Sequence, residues 1–355
     1  MTSNPRRWAL AAGLAVAALS GSVLTACGGG DSATDPGSCQ GAEVTVGIVN
    51  SLSDTILLVA DAKGYFEDEG LQVTLTPYDS AAKMIPMLGA GRLDVGAGAP
   101  SAGLYNAVAS DIKLTIVADK GQLVQKYDYM PVLVRKDLVD SGKVKTVADL
   151  KGLTVAEPAE GTATASTLNA VLESGGLAYD DVEHTFIGFP DQVAAFANGS
   201  IDAATTTEPA ASKIIAEGTA VRFADSTEVY DNQQLAVALY SSDFAEKRTA
   251  VAQCFMNAYV RAADEYAAAV EGGTWTGEGV DEVVKIVADK IGLPPEAITK
   301  TVPSYVSPTA EVNADSLKKD YEFFQDQGLI TGGVDIDKLI DNSFVEKAQS
   351  AAAGS

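Results

Sequence analysis

The sequence predicts an α/β protein built from two halves, each with helices on both faces of a mainly parallel sheet. Apolar strand-like segments alternate with helical segments from residue 43 onward, and the alternation starts again near residue 130. The stretches AGRLDVGAGAPS (90–101) and NGSIDAATTTEPA (198–210) also share one form, in which small residues lead to a proline at a favoured first helical position. Regular alternation of strands and helices is typical of parallel sheets that are covered on both sides.

Each half has its own set of predicted elements. In the first half the strands are 43–49, 71–78, 93–99 and 112–121, and the helices are 55–70, 81–92 and 100–110. In the second half the strands are 130–137, 153–158, 182–190, 201–209 and 220–226, and the helices are 162–176, 191–200 and 210–218, with a short helical turn within 144–152. Glycines follow several of the predicted helices, and glycine is a common helix stop.

The alternation does not resume after about residue 234, where the chain continues into long alanine-rich helices. We expect these helices to pack back on the first half, which makes the first lobe discontinuous. The predicted lobes are residues 43–128 plus 235–350 and residues 129–234. Two connecting segments between them are expected near residues 127–130 and 231–236.

The N-terminus has the features of an export signal. Arg6 and Arg7 precede an apolar run at residues 8–19, and the small residues before Cys27 are typical of a cleavage site. The sequence Leu-Thr-Ala-Cys resembles the bacterial lipobox, which implies a lipid on Cys27. The alternative is an ordinary signal with an incidental cysteine. The apolar run is too short for a membrane-spanning helix of about 20 residues.

This interpretation divides the N-terminal region into a signal peptide at residues 1–26 and a flexible tether at residues 27–42, rich in Gly, Ser, Asp and Pro. The mature protein would then be anchored by lipid to the outer face of the cell membrane.

The composition limits the classes of partner. The chain has 355 residues, a formal net charge of −23 and 46% hydrophobic residues, which is enough for a full core in two domains. The acidic balance argues against nucleic acid and against an anionic membrane surface, since both are bound through lysine and arginine. It does not decide the charge of a small ligand, because a site can be locally positive inside an acidic protein.

The cysteines and the histidine bear on redox state and metals. Apart from Cys27, the chain has only Cys39 and Cys254, and in an exported protein two such cysteines are expected to pair. Two free thiols are the alternative. His184 is the only histidine and no CxxC occurs, so neither a zinc site nor a histidine-based triad is predicted, and no cofactor is expected.

Several motifs resemble one known family. Residues 60–71 (ADAKGYFEDEGL) match the pattern A-x-x-x-G-Y/F-F-x-x-E-G-L, and residues 91–96 match G-x-x-D-V/A-G. Together with residues 147–177 and 201–209, they resemble the solute-binding proteins of bacterial ABC importers, in particular the nitrate, sulfonate, taurine and thiamine-precursor group. The resemblance covers about residues 43–240. It implies the type II periplasmic-binding-protein fold, with two α/β lobes, two crossovers and a ligand in the cleft between the lobes.

The cleft should be lined by helix starts that follow strand ends, where ligands of such sheets bind. Free N–H groups and the helix dipole favour anions there, and hydroxyls add hydrogen-bond donors. The candidate ligand-binding residues at these starts are Asn50, Ser53, Asp54, Ser80, Pro100, Ser101, Gly161, Thr162, Ala163 and Thr164. For each of the polar residues, the alternative is that its side chain caps its own helix.

Three further candidates come from the resemblance and from the first crossover. Glu208 stands where relatives often place an acid that faces the ligand, although it could instead complement a helix dipole. Many relatives have a tryptophan just before this acid, but here threonines 205–207 precede it. An aromatic ligand would need another ring, such as Tyr127 or Tyr129, whose alternative role is hinge packing. The predicted strand-end loops contain no arginine, so the sequence does not predict a bidentate arginine clamp on a carboxylate or sulfonate.

The resemblance implies a binding protein without catalysis, which captures a small solute and delivers it to a membrane permease driven by an ATPase. The predicted solute is a sulfonate- or taurine-like zwitterion or a nitrogen-bearing molecule related to thiamine precursors. The alternatives are an exported enzyme on the same fold and a lipoprotein that presents its ligand to a sensor. We expect a monomer that does not bind nucleic acid.

Overall fold

The computed structural model describes residues 39–353. The predicted signal peptide, Cys27 and most of the predicted tether lie outside these residues. The ten strands are β1 (Ala42–Ile48), β2 (Leu71–Pro77), β3 (Val95–Gly98), β4 (Leu114–Leu123), β5 (Val132–Arg135), β6 (Thr154–Glu157), β7 (Glu183–Phe186), β8 (Ala203–Thr205), β9 (Ala220–Ala224) and β10 (Gln233–Ser241). The helices are α1 (Thr55–Ala62), α2 (Tyr65–Asp68), α3 (Ile85–Gly89), α4 (Ala102–Ala109), α5 (Lys136–Asp140), α6 (Ala163–Ser174), α7 (Phe189–Asn198), α8 (Ala210–Ala216), α9 (Thr249–Ala269), α10 (Val280–Ile291), α11 (Pro295–Ile298), α12 (Ala314–Asp326), α13 (Ile336–Leu339) and α14 (Ser343–Ala353).

The strands form two five-stranded sheets. The first has the order β2-β1-β3-β10-β4 and the second the order β7-β6-β8-β5-β9. In the first sheet β1 pairs in parallel with β2 and β3, and in the second sheet β6 pairs in parallel with β7 and β8. The chain crosses between the sheets twice, after β4 and before β10. The predicted α/β class, with two mainly parallel sheets and two crossovers, is confirmed.

Each sheet also contains one antiparallel strand. β10 lies between β3 and β4 and is antiparallel to both, while β5 lies in the same way between β8 and β9. The sequence analysis assigned no strand after residue 226, and this was wrong. All nine residues of β10 are buried, so the segment shows no polar alternation and cannot be told from a buried helix by its pattern.

The predicted helix 55–70 is also corrected, because it consists of α1 and α2 with a break at Gly64. Gly64 has φ 72° and stands at the start of α2. A left-handed residue cannot continue an α-helix, and glycine adopts this conformation without steric cost. The segment therefore forms two short helices, and both contribute buried residues to the core on one face of the first sheet.

The first sheet is covered by helices from both ends of the chain. One face packs in a core with residues of α1, α9, α10 and α14, and the other face packs with residues of α4, α12 and α13. The second sheet has two smaller cores, which include apolar residues of α6 on one side and of α7 and α8 on the other. Within residues 39–353, no helix combines the length and the apolar character that crossing a membrane requires.

A disulfide joins Cys39 to Cys254, as predicted from the number of cysteines in a chain that is expected to be exported. It connects the segment before β1 to α9. The Gly41 N–H also donates to the Gly70 carbonyl at 2.8 Å, and β1 begins at Ala42. Residues 39–42 are therefore part of the fold, and the range 27–42 predicted for the tether extends too far.

Candidate ligand site between the two sheets

A cavity lies between the carboxyl ends of the strands of both sheets. It has a volume of about 450 Å³ including its open mouth, and we call it the inner cavity. Its lining residues are Val49, Ser51, Ser53, Ser80, Ala81, Gly98, Ala99, Tyr129, Met130, Pro158, Thr162, Thr164, Phe189, Thr207, Leu235 and Ala236. Most of these residues directly follow β1, β2, β3, β6, β7 and β8, which is where open α/β sheets place their ligands.

The predicted site residues are distributed over three places. Ser53, Ser80, Tyr129, Thr162 and Thr164 line the inner cavity. Asn50 and Glu208 line a neighbouring groove, which we call the outer groove and which is formed by Val49, Asn50, Phe189, Pro190, Val193, Thr207, Glu208, Pro209, Ala210, Lys213, Ile291 and Leu293. The others lie behind or beside the inner cavity, and the ligand-binding role of each residue stays a prediction.

A buried ion pair lies directly behind the inner cavity. Lys120, on β4, and Asp54, in the turn after β1, are both fully buried, and Lys120 Nζ lies 2.8 Å from Asp54 Oδ1. Asp54 Oδ2 accepts hydrogen bonds from the N–H groups of Val49 (3.1 Å) and Ser51 (3.0 Å). The carboxylate thus holds the turn that follows β1, and its charge is compensated by the lysine.

Lys120 was not among the predicted site residues. Its only signal in the sequence is a lysine next to an aspartate in an otherwise apolar strand, LTIVADKG (114–121). A charged side chain is almost never fully buried unless it has a partner. The pattern therefore indicates a buried charge pair, although it does not reveal that the partner is Asp54, because the two residues meet only through the pairing of distant strands.

Lys120 also donates to one of a pair of serine hydroxyls. Its Nζ donates to Ser53 Oγ at 2.7 Å, and Ser53 Oγ lies 2.8 Å from Ser51 Oγ. Since the two hydroxyls have two protons and share one hydrogen bond, one O–H donor remains whichever serine donates to the other. Both serines line the inner cavity, so this pair offers it a hydrogen-bond donor.

On the opposite side of the inner cavity, the hydroxyls of Thr162 and Thr164 are hydrogen-bonded to each other. The Thr162 hydroxyl donates to the Ala159 carbonyl at 3.2 Å, and Thr162 Oγ1 lies 2.7 Å from Thr164 Oγ1. Thr164 then donates to Thr162, and its own lone pairs remain available. This second-sheet side of the cavity is therefore polar but has no free hydroxyl donor in this pair.

The Tyr129 hydroxyl is a second free donor. Tyr129 is 1% exposed, and its hydroxyl has no hydrogen-bond partner among residues 39–353. The hydroxyl lies beside Gly121 on β4, where a Cβ atom would come within 2.7 Å of it, so only glycine leaves room at this position. Burial raises the pKa of Tyr129 well above its usual range, so the phenol keeps its proton and can donate.

Helix starts from the two sheets contact each other directly beside the inner cavity. At the start of α4 the Ala102 N–H donates to the Gly161 carbonyl (2.8 Å), and at the start of α6 the Ala163 N–H donates to the Pro100 carbonyl (3.1 Å). These predicted anion-binding N–H groups are therefore used between the lobes, in a closed arrangement. Ser101 caps α4 by accepting from the Leu104 N–H at 3.2 Å, which is the alternative role considered for it.

The Glu208 carboxylate is held mainly by its own lobe, and Oε1 also accepts from the Val302 N–H of the first lobe at 3.5 Å. Its oxygens accept from the Ser212 N–H (2.9 Å) and hydroxyl (3.0 Å), and Arg222 Nη2 lies 3.4 Å away. Burial raises the pKa of the Glu208 carboxyl above its usual range. The Glu208 main-chain carbonyl also contacts the first lobe and accepts from the Leu52 N–H at 3.2 Å.

Tyr127, the other aromatic candidate, lies outside the inner cavity. Its ring packs edge-on against Tyr305, with 5.3 Å between the ring centroids. This contact corresponds to the hinge-packing role considered for it. Among residues 39–353, no group of three or more His, Cys, Asp or Glu residues is placed to hold a metal ion.

A buried acid connects the two lobes behind the site. Asp320, on α12, accepts from the Tyr230 hydroxyl at 2.7 Å and from Gln233 Nε2 at 3.2 Å. Gln233 Nε2 also lies within 3.0 Å of the Ala163 carbonyl on α6. Burial raises the pKa of the Asp320 carboxyl to about 7. The carboxyl therefore stays protonated in the folded protein at pH values at which it is already ionised in the unfolded chain.

Replacing Asp320 with asparagine is expected to change the pH dependence of stability. The stabilisation from the raised pKa is complete below about pH 4 and is lost as the pH rises through about 7. Asparagine does not titrate, so the unfolding free energy of the wild type relative to D320N should fall by about 2–3 kcal/mol between pH 4.5 and pH 7.5. Urea unfolding at both pH values measures this. The exposed Asp326→Asn change on the same helix is the control, and a constant difference between wild type and D320N would contradict the prediction.

The sheet topology and the cavity beyond the strand ends define a two-lobed binding-protein fold, and sequence comparison agrees. The sequence model of the NMT1-like family matches residues 38–271, and the chain belongs to this family. This confirms the resemblance inferred from the motifs.

Individual relatives add detail. A putative aliphatic sulfonates-binding protein of Escherichia coli strain K12 is 26% identical over 207 residues, which are 57% of this chain and 61% of that one. The matched part is thus less than two thirds of the relative. The alkanesulfonate-binding protein SsuA of Xanthomonas axonopodis pv. citri, bound to MOPS, superimposes with a TM-score of 0.68 and 20% identity, over 85% of this chain and 99% of that one. The desulfurization enzyme DszB superimposes with a TM-score of 0.63 and 17% identity, over 88% and 99%.

Proposed function

We propose that the protein is the extracytoplasmic solute-binding component of an ABC importer, and that it captures a small organic anion of the sulfonate type in the inner cavity. The observation that carries the proposal is a cavity between two lobes with free hydroxyl donors and no charged side chain in its lining. A sulfonate has only acceptor oxygens, so it matches these donors.

The electrostatics favour an anion over a cation. The start of α6 lies at the cavity through Thr162 and Thr164, and a helix N-terminus carries a partial positive charge even where its first N–H group is used between the lobes. The carboxylates of Asp54 and Glu208 already have cationic or hydrogen-bonding partners, so neither offers an uncompensated charge to an ammonium group. This weakens the expectation, based on Glu208, of a nitrogen-bearing ligand.

Transport would follow from closure of the lobes. A ligand bound by groups of both lobes shifts the population toward the closed form, and a permease then receives the solute from that form. The lipid predicted on Cys27 would keep the protein at the outer face of the membrane that contains the permease.

A thermal melting screen tests the proposal. A specific ligand raises the free energy of unfolding by about 2.7 kcal/mol at one hundred times its Kd. We expect methanesulfonate, ethanesulfonate or taurine to stabilise the protein, and ethylamine, nitrate and formylated aminopyrimidines to have little effect. Stabilisation by aminopyrimidines but not by sulfonates would contradict the anion assignment, and comparison of ethanesulfonate with taurine shows whether an ammonium group contributes.

An exported enzyme is the second candidate, because DszB shares the fold. The two functions differ in what happens to the bound compound. A binding protein returns its ligand unchanged, so analysis of the stabilising compound after long incubation should recover all of it. Consumption of the compound would favour an enzyme.

Tyr129→Phe is expected to weaken binding of ethanesulfonate by about tenfold, the effect of losing one hydrogen bond to a charged group. The unfolding free energy without ligand should hardly change, because the hydroxyl has no protein partner to lose. Calorimetric titration and urea unfolding measure the two effects. Tyr127→Phe, outside the inner cavity, is the control and should bind as the wild type does. Unchanged binding by Y129F would show that the ligand does not contact this hydroxyl.

A further inference from the structure

Three side chains of the second lobe form a hydrogen-bonded cluster away from the inner cavity. Glu157, at the end of β6, is fully buried, and its Oε1 accepts from the Tyr179 hydroxyl at 2.6 Å and lies 2.9 Å from His184 Nδ1. The rings of Tyr179 and His184 are stacked, with 4.0 Å between their centroids. None of the three residues lines the inner cavity or the outer groove, so the proposed ligand site does not use them.

Both ring nitrogens of His184 face acceptors. Nδ1 faces the Glu157 carboxylate, and Nε2 lies 2.9 Å from the main-chain carbonyl of Tyr179, which can only accept. The two contacts need one proton each, and an imidazole with a proton on both nitrogens is the charged form. Among residues 39–353, His184 is the only ion-pair partner of the Glu157 carboxylate.

Tyr179 connects this cluster to the first lobe. Its ring packs edge-on against Phe323 on α12, with 5.3 Å between the centroids, and Phe323 packs against the core on one face of the first sheet. Asp320, three residues earlier on the same face of α12, accepts from Gln233, which also contacts the Ala163 carbonyl on α6. One face of α12 therefore contacts the second lobe at two places, and the contact between Tyr179 and Phe323 is one of them.

Loss of a proton from His184 breaks this arrangement. One ring nitrogen then presents a lone pair to the Glu157 carboxylate or to the Tyr179 carbonyl, and the buried carboxylate loses its cation. A buried carboxylate without a cation is strongly unfavourable, so Glu157 has to gain access to water. The short helical turn Tyr179–Asp181 covers Glu157 through the Tyr179 hydroxyl, so this turn moves and the contact with Phe323 is lost.

We propose that His184 and Glu157 form a proton-dependent latch, which holds Tyr179 against Phe323 and so favours the closed arrangement of the two lobes. The latch is engaged at acidic pH and released as the pH rises. Its consequence for transport rests on the proposed function: the affinity for the solute falls at alkaline pH, because the closed form is then less populated.

The groups around the His184 ring set the pH range. Partial burial lowers the pKa of the imidazole, but the hydrogen bonds to Glu157 and to the Tyr179 carbonyl outweigh this effect, so the pKa lies above its usual value of about 6.5. The charge of Asp180, in the same turn, acts in the same direction, and Glu160, after β6, faces Tyr179. The stabilisation is therefore complete below about pH 6.5 and is lost as the pH rises through the raised pKa.

Amide hydrogen exchange of the ligand-free protein measures closure directly. The N–H groups of Ala102 and Ala163 donate across the lobes, so they exchange when the lobes separate. Loss of an edge-on aromatic pair changes such an equilibrium by about threefold to tenfold. The protection of these two amides, corrected for the intrinsic pH dependence of exchange, should fall by this factor between pH 6 and pH 9. His184→Gln retains Asp320, which titrates near pH 7 on α12, and should lack the fall.

A variant of the partner ring tests the connection between the lobes. Phe323→Ala should abolish the fall in protection, although its imidazole still titrates. Since His184 is the only histidine of the sequence, its NMR signal reports this titration without assignment of other rings. Phe186→Ala, which removes an exposed ring on β7 beside His184, is the matched control and should behave as the wild type.

The results decide on the latch without any ligand. Constant protection in the wild type would overturn the inference, and so would the same fall in H184Q or in F323A. The midpoint of the fall has to coincide with the midpoint of the imidazole titration, and a different midpoint would also overturn it. Failure of every sulfonate to bind would overturn the proposed function and leave the latch standing.

Discussion

Lys120→Met is expected to lower the free energy of unfolding by about 3–5 kcal/mol, because it leaves the Asp54 carboxylate buried without its cation. Methionine has nearly the same length and is apolar, so the loss reflects the charge more than the packing. Binding of ethanesulfonate should also weaken, since Ser53 Oγ loses the hydrogen bond from Lys120 that holds the hydroxyl pair in place. Urea unfolding and calorimetric titration measure the two effects separately.

The double variant Asp54→Asn with Lys120→Met distinguishes charge from shape. It removes both charges, and replacing a buried ion pair with neutral groups is often close to neutral for stability. We therefore expect the double variant to recover most of the lost stability but not the affinity. Lys136→Met is the matched control, because its ion pair with Asp140 is solvent-exposed and its removal should have no measurable effect. An equally unstable double variant would show that Lys120 matters for packing and not for charge.

Removal of the disulfide by Cys39→Ser with Cys254→Ser is expected to lower the unfolding free energy by about 2–5 kcal/mol. The cysteines are 215 residues apart in sequence, so the crosslink constrains a long segment of the unfolded chain. In the folded protein it holds the segment before β1 to α9. Neither cysteine lines the inner cavity or the outer groove, so we expect the affinity for ligand to stay the same.

Reductant gives a test of the same bond without mutation. Wild-type protein treated with dithiothreitol should unfold at the urea concentration of the double serine variant, and the variant itself should not respond to reductant. A wild type that unfolds at the same midpoint with and without reductant would show that the disulfide does not stabilise the fold.

The α/β class could be predicted because its signals are local. Apolar segments of strand length, glycine stops and prolines at helix starts are all readable within a few residues, and they located every strand up to β9. The same signals located loops that follow strand ends, which is why Ser53, Ser80 and Thr162 were identified and do line the inner cavity. Tyr129 was found through its place at the predicted crossover.

Local patterns could not predict in which direction a polar side chain points or which group it contacts. The sequence marks Glu208 as an acid at a helix start, but its carboxylate turns to Ser212 and Arg222, because these groups compensate it without a ligand. Ser101 likewise serves its own helix. Local pattern cannot separate a cap from a ligand contact, since both need the same residue type at the same position.

The amino-acid sequence alone was enough to predict the alternation of strands and helices, the pairing of Cys39 with Cys254, and the family of the protein. Three features became visible only in the folded protein: the antiparallel place of β10 inside the first sheet, the contact between Lys120 and Asp54, and the position of the inner cavity. Each of these features depends on residues that are far apart in the chain. Their energies come from burial and charge compensation, which exist only once the strands and lobes have come together.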